Sequence, residues 1–512
     1  MNISRWIDKH AKFAPDGVAI RFAGSSISYQ SFAADVENTA RKLVTLGVAP
    51  GDIVVYLGLN CPQLLALLFA CARLGAVVAP LNWRLTAPEH ERMLQDCRPR
   101  VAVVADQFVP HAAPLCAAFA ATRWITLGGP TAGWLAWNDV HASPAMLPDR
   151  PDAENTPVLL CYTSGSTGAP KGVVHTHASL FWNALNSVHM HDLTSADRVL
   201  TTLPLFHVGG LNILTTPALY AGASVTLHPR FDAGEAIDAI EKERITLAVL
   251  VPAQLMAMMA CPRWQQADLS SLRVVTTGST IIPGSFVQKV HERGLRMIQV
   301  YGSTETCPVA AYQRVDSAER KLGAAGLPAL HCELRIVDAD GRDARQGEDG
   351  EILVRGPNLM REYLNAPEAT SASLKDGWYW TGDVGHFDED GYLSVVSRKN
   401  DMIISGGENV YPAEIENVLL EWPAISEVCV FGRPNPRWGE MIVAVVVAAP
   451  GLKLTTADIL ARLEGRVARY KYPREIVFAA ALPRNALGKV IKERVRSEVA
   501  PPPERILEGQ RP

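Results

Sequence analysis

The sequence predicts an α/β protein: a large N-terminal domain of doubly wound sheets plus a small β-barrel-like unit, followed by a smaller α+β C-terminal domain. Three observations carry this. Short apolar runs alternate with segments of helical period, the pattern of parallel strands covered by helices on both faces. Several runs end in Gly/Ser/Thr loops, at the strand ends where such sheets bind ligands. From about Gly350 the texture turns to strand–turn–strand, and a polar knot at Ser397–Asp401 precedes a smaller set of elements.

The elements follow in order. Ser31–Leu46 carries Phe32, Val36, Leu43 and Leu46 at helical spacing and stops at Gly47. Asp52–Leu59 (DIVVYLGL) predicts a buried strand, Pro62–Leu74 a helix, Val77–Ala79 a strand, Pro88–Asp96 a helix and Arg100–Ala105 (RVAVVA) a strand. Val199–Pro204, Ala223–Leu227 and Leu247–Val251 read as strands, with a helix at Ala233–Glu243. Arg273–Thr277 and Met297–Val300 are strands that each run into a polar loop. Glu351–Arg355, Gly377–Thr381 and Tyr392–Ser397 read as an antiparallel or barrel-like unit, with a turn at Asp390–Gly391. Pro412–Leu420 is a helix with proline in its first turn, and Val428–Gly432 and Met441–Ala448 are strands. Thr456 is expected to cap a helix carrying Ile459, Leu460, Leu463 and Val467. The domain boundary falls at about Arg398–Asp401, dividing 1–398 from 399–512, and the tail beyond Pro501 is expected to fray.

Bulk numbers exclude some classes. The chain has 512 residues, 48% hydrophobic and 20% charged, enough to bury large cores and unlike a disordered chain. A net charge of −4 with no basic stripe argues against a nucleic-acid partner. Nine scattered cysteines without a C-x-x-C pair read as reduced thiols of a cytoplasmic protein. Met1–Trp6 lacks the apolar core of a signal peptide. The most apolar stretch, Leu64–Leu81, is interrupted by Arg73, Gly75 and Pro80, so it is expected to be a buried helix and strand, not a membrane span.

The densest chemistry lies in TSGSTGAPKG, Thr163 to Gly172, directly after the apolar run Val158–Leu160. Backbone N–H groups and hydroxyls of Thr163, Ser164, Gly165, Ser166, Thr167 and Gly168 suit phosphate oxygens, and Lys171 adds positive charge. A Walker loop does not fit, because Pro170 stands where its second glycine must be and Gly172 where Ser/Thr must be. A surface linker is the plain alternative. The fixed Pro-Lys-Gly ending and the adjoining strand weigh against it.

This stretch resembles the AMP-binding signature of the adenylate-forming superfamily: acyl-CoA and aryl-CoA ligases, stand-alone adenylation domains and beetle luciferases. Further segments resemble the family's motifs in order, from about Ser28 to Lys489. LPLFHVGG (Leu203–Gly210) is similar to the histidine motif, which implies that His207 positions the carboxylate substrate. Val208, Gly209, Gly278 and Cys307 would line the acyl pocket with His207, the glycines leaving space for a bulky acid. YGSTE (Tyr301–Glu305) implies Tyr301 and Gly302 at the nucleotide, Thr304 near the α-phosphate and Glu305 on Mg²⁺, with Thr167 as a second metal contact. A glutamate carboxylate is a hard ligand suited to that ion. YWTGD ends at Asp383, a carboxylate that would accept the ribose diol with Arg398 beside it. Otherwise His207 could be a satisfied core residue, Tyr301–Glu305 an ordinary strand-to-loop turn and Asp383 a turn residue.

The resemblance also implies that the C-terminal domain is mobile, pivoting at Asn400, where the family usually has Asp or Lys. Asn tolerates unusual backbone angles, so a hinge is retained. PRNALGK ends in Lys489, the implied adenylation lysine, and SGGEN places Gly406, Gly407 and Glu408 along the thiol tunnel after rotation. Trp438, with Arg437, and Tyr470–Arg474 interleave basic and aromatic groups as a nucleotide would need, and similar positions in CoA ligases contact CoA. A solvated basic face is the alternative there.

The implied function is an ATP-dependent carboxylate–CoA ligase using ATP, Mg²⁺ and coenzyme A, with Lys489, His207, Thr304 and Glu305 as its catalytic set. Val300 stands where malonate-specific relatives carry Arg, which disfavours a small diacid. An aromatic or hydroxycinnamate-like acid, or a medium-chain fatty acid, is expected, with succinylbenzoate kept open. An amino-acid-activating domain would want a carboxylate near His207 and has none there; a luciferase-like oxygenase ranks lower. A non-catalytic ATP- or AMP-binding module is disfavoured because Lys489, Glu305 and Asp383 are all present. Oligomeric state is left open, with a homodimer as one option.

Overall fold

The computed structural model describes residues 2–147, 154–164, 170–279, 282, 284–405, 408–435, 438–467, 469–485 and 489–501. Two large sheets share one layer of helices. The first has eight strands, centred on parallel Ile53–Leu57, Val77–Leu81, Val101–Val104 and Arg123–Thr126. The second has nine, centred on parallel Arg198–Thr201, Ser224–Leu227, Leu247–Val249, Val274–Thr277 and Met297–Tyr301. Val54 and Val78 of one sheet and Val199 and Val225 of the other belong to a single core with Phe32, Leu65, Phe69 and Leu180 of the helices between them.

That central position explains the apolar helix Pro62–Leu74. A helix that is apolar all round has to be covered all round, and this one is buried without a break from Leu64 to Ala72. Pro62 opens it and Gly75 closes it in the left-handed conformation. No helix among the described residues is long and apolar enough to cross a membrane. The outer face of the first sheet is covered by Ala87–Cys97 and Val109–Ala118, that of the second by Ala233–Lys242, Pro252–Ala260 and Gly284–Glu292.

Downstream, Glu333–Val337, Gly350–Arg355, Leu374–Lys375, Trp378–Phe387 and Leu393–Arg398 form the five-stranded antiparallel sheet expected as a barrel-like unit. A fourth sheet, built only from strands after residue 402, carries the helices Pro412–Leu420 and Thr456–Leu463. Sheet membership changes across the turn Lys399–Asp401. Lys399 pairs backward with Glu351 at 2.8 Å, and Asp401 pairs forward with Lys492 at 3.3 Å.

Two local expectations need correcting. The segment after the phosphate loop is a strand, Pro170–Thr176, antiparallel to Pro157–Ser164, so Lys171 sits in a ladder opposite Thr163 and not on a loop. The cap of Thr456–Leu463 is Thr455, whose hydroxyl accepts from the Asp458 N–H and leaves Thr456 as the first helical residue.

Candidate active site

The three N-terminal sheets meet at one place. Met297–Tyr301 runs out of the second sheet into Gly302, where any side chain would collide with the Pro308 carbonyl. The turn Thr304–Thr306 follows, held from below by Asn358, whose side-chain amide donates to the Thr306 and Val309 carbonyls at 2.7 and 2.8 Å. Glu305 is thereby carried inward to 9% exposure. One of its carboxylate oxygens accepts from the Tyr363 hydroxyl at 2.8 Å. Its backbone carbonyl accepts from the Met360 N–H at 2.7 Å. Tyr363 itself lies on a short strand paired to Pro170–Thr176, so the phosphate hairpin and Glu305 are tied through one tyrosine. Lys171 Nζ stands 5.2 Å from the centre of the same ring.

Tyr301 reaches the third sheet, its hydroxyl donating to Asp383 Oδ2 at 2.9 Å. Asp383 faces Arg398 across the ladder, and Arg398 Nε lies 2.9 Å from Oδ1. Burial raises the Asp383 pKa, against the pull of Arg398 and of the Tyr301 hydrogen bond. Lys489, from the small unit, lies within the field of this pair. Loss of hydration and then Arg398 lower its pKa, while Asp383 and Asp401 act in the opposite direction. Lys489 is nevertheless open to water, on the segment closed by the Arg484–Val490 bridge.

His207 precedes the short helix Val208–Gly210. Its loop is pinned by Asn60, which donates to the Leu203 carbonyl at 2.9 Å and accepts from the Leu205 N–H at 2.8 Å. Burial first, and Arg84 second, lower the His207 pKa to about 4, so at neutral pH the ring is a neutral donor and acceptor. Phe206 lies beside it with ring centres 4.5 Å apart. Arg84 stacks at 4.1 Å on Trp83 and stands 5.9 Å from Phe206.

The glycines are not equivalent. A Cβ at Gly209 would meet only Ile213 at 3.8 Å, whereas Gly210 would strike the Pro204 carbonyl and Gly278 the Val300 carbonyl at 2.6 Å. Backbone packing accounts for the last two, so the expectation that glycines make room for an acid rests on Gly209 alone. Val208 is buried, and Cys307 is fully enclosed with the Asn212 amide 3.5 Å from its sulfur.

In the small unit Arg474 lies 3.7 Å over the Trp438 ring, and Tyr470 is 40% exposed nearby in sequence. Ser405 pairs with Gly439, which places Trp438 next to the end of Ile403–Ser405. Gly165, Ser166, Thr167, Gly168, Gly406, Gly407 and Arg437 lie outside the described residues, as does the side chain of Asn400. The structure thus gathers Lys171, Tyr301, Glu305, Asp383, Arg398 and Lys489, with Trp438 and Arg474 as a separate pair. Tyr363 and Arg84 were missed in the sequence. Neither sits in a motif, and Tyr363 is 58 residues from Glu305.

Comparison with known proteins identifies the family. Residues 7–364 match the AMP-binding enzyme family and residues 414–489 the AMP-binding enzyme C-terminal domain. An indoleacetate–CoA ligase of Aromatoleum aromaticum is 55% identical over 502 residues, 98% of each chain. A feruloyl-CoA synthase of an Amycolatopsis species is 42% identical, covering 96% of this chain and 98% of that one. The o-succinylbenzoate CoA synthetase of Bacillus subtilis, solved with its acyl-adenylate intermediate, superposes with a TM-score of 0.85 at 30% identity over 96% of this chain and 97% of that one. The chain therefore belongs to the AMP-binding enzyme family, among the adenylate-forming acyl-CoA and aryl-CoA synthetases.

Proposed function

We propose that this ligase joins an aromatic carboxylic acid, of the arylacetate or hydroxycinnamate type, to coenzyme A through an acyl-adenylate. One observation carries the chemistry: Lys489 of the small unit stands in the field of Asp383 and Arg398, on the sheet that also meets Tyr301. The aromatic class is supported by the two relatives named for indoleacetate and ferulate.

A carboxylate is a poor electrophile, and its attack on the α-phosphate of ATP brings two anions together. Fixed positive charge between them is the principal requirement. Lys489 supplies it, bridging the acid and the α-phosphate, while Thr304 donates to the same phosphate. Asp383 accepts the ribose hydroxyls, oriented by Tyr301 and Arg398. Lys171 holds the departing pyrophosphate with the loop from Thr163 to Gly168. His207, neutral, offers the acid an N–H without adding a second cation. The single buried carboxylate of Glu305 fits a cation held chiefly by substrate phosphates: no group of three or more His, Cys, Asp or Glu is gathered among the described residues. When bound there, Mg²⁺ neutralises phosphate charge. The small unit then turns about Asn400, withdrawing Lys489 and bringing Trp438, Tyr470 and Arg474 to hold CoA, with Gly406 and Gly407 along the thiol's path.

The test is product analysis by mass. Purified protein receives Mg-ATP, CoA and a panel of indoleacetate, ferulate, cinnamate, benzoate and C8 to C16 fatty acids. Aryl-CoA with equimolar AMP and pyrophosphate is the expected result. Thioesters formed only from the fatty acids would overturn the substrate class, and release of ADP would overturn adenylation itself.

A further inference from the structure

His175 is an imidazole for which the site described so far has no use. It is 0% exposed, and neither ring nitrogen has a hydrogen-bond partner among the described residues within normal geometry. Burying a polar ring without partners is unfavourable by more than burying an apolar one of that size. Its place in the fold gives the reason. In the antiparallel ladder, directly opposed residues share a face, and alternate residues along a strand share it too. His175 opposes Leu159, Val173 opposes Cys161, and Lys171 opposes Thr163, so Lys171, Val173 and His175 form one row. Lys171 stands at the Tyr363 ring, and Val173 packs with Met360, Tyr363 and Tyr379. Tyr363 and Met360 are the residues that hold Glu305. His175, next in the row, faces the Thr304 backbone, the other end of the same turn.

We infer that His175 is a positioning residue for the nucleotide, holding the Thr304–Glu305 turn from beneath through the Thr304 carbonyl. Burial keeps the ring neutral, with its pKa near 4, so it carries one N–H to give and no charge to repel the metal ion that Glu305 would hold. Neither ring nitrogen makes a hydrogen bond of normal geometry here, and site hydrogen bonds commonly tighten on binding. The row then acts as a unit: Lys171 meets the outer phosphates, and His175 fixes the turn that meets the α-phosphate.

This inference rests on the reading of the cleft as an ATP site, so its test is binding of Mg-ATP, independent of any acid. Calorimetric titration compares wild type, His175→Leu and His175→Asn, with thermal melts of all three. Leucine keeps the volume and loses the donor; asparagine keeps a donor. His175→Leu is expected to weaken Mg-ATP binding about tenfold, the size of one buried hydrogen bond, and His175→Asn to recover most of it, with melting temperatures close to wild type. Binding by His175→Leu equal to wild type overturns the proposal, as does equal weakening in both variants that tracks a fall in melting temperature. Wild-type protein that fails to bind Mg-ATP overturns the ATP-site reading, and this inference with it. Binding that behaves as expected while no aromatic acid is activated refutes only the substrate class.

Discussion

The two sides of the cleft are built differently. On the large side, Tyr301, Asp383, Arg398, Glu305 and Tyr363 interlock across three sheets, each side chain held by another. On the small side, Lys489 extends from a water-exposed segment, and Arg474 stacks on Trp438. A group that must orient a nucleotide through a whole cycle benefits from rigid support. A group needed for one half-reaction and obstructive in the next has to be removable. The difference in support is what the proposed two-step use of one cleft requires.

The largest test of this contrast uses acid. All 13 histidines precede Arg398. His175, His177, His191 and His207 are held by burial at about 4, against an ordinary 6.5. The unfolded chain therefore binds more protons than the folded one between those values. Stability falls as pH drops from 6.5 toward 4, each ring contributing at most about 1.4 kcal/mol per pH unit across that window. The small unit has no such group. Its half-buried Glu416 is shifted upward by loss of hydration, so acid favours its folded form. Peptide-resolved hydrogen exchange from pH 7 to 5 is expected to show Pro170–Thr176 and His177–His191 losing protection before Gly439–Ala448. Simultaneous loss would break the contrast.

Next in size is Lys489→Ala. Acid-dependent pyrophosphate exchange is expected to fall roughly 10²- to 10³-fold, the usual range for losing a charge-stabilising group, while thioester formation from supplied acyl-adenylate is kept. Equal loss in both half-reactions would mean that Lys489 belongs to the fixed side. Arg474→Glu should raise the apparent KM for CoA about tenfold and leave that for ATP unchanged, because its partner is Trp438 and not the Asp383 network. The smallest effect is expected for Tyr363→Phe. Removing one hydrogen bond to Glu305 is worth about 1 kcal/mol, and steady-state kinetics should show a severalfold rise in the KM for Mg-ATP with the CoA value unmoved.

The sequence reading succeeded where one local signal decides an element. Pro62–Leu74 and Pro412–Leu420 match their expected ends because proline can open a helix but not continue one. It failed where the decision is tertiary. Pro170–Thr176 begins with Pro-Lys-Gly, which locally reads as loop, and becomes a strand only because Pro157–Ser164 is there to pair with it. The motifs brought Tyr301, Glu305, Asp383 and Lys489 into view, since each carries a charge or ring set among turn residues. Tyr363 and His175 stayed hidden, because their task is support and depends on which sheet faces which. Gly278 shows why such a reading is ambiguous: an empty side chain looks the same in sequence whether it makes room for a ligand or for a neighbouring carbonyl.

The seam at residue 400 has a consequence for descent. Lys399 is fastened to the body before it and Asp401 to the body after it, and among the described residues no sheet takes strands from both sides. A crossover there leaves every ladder whole in both parents. The small unit can thus be inherited as a cassette, carrying with it no strand of the larger part's sheets.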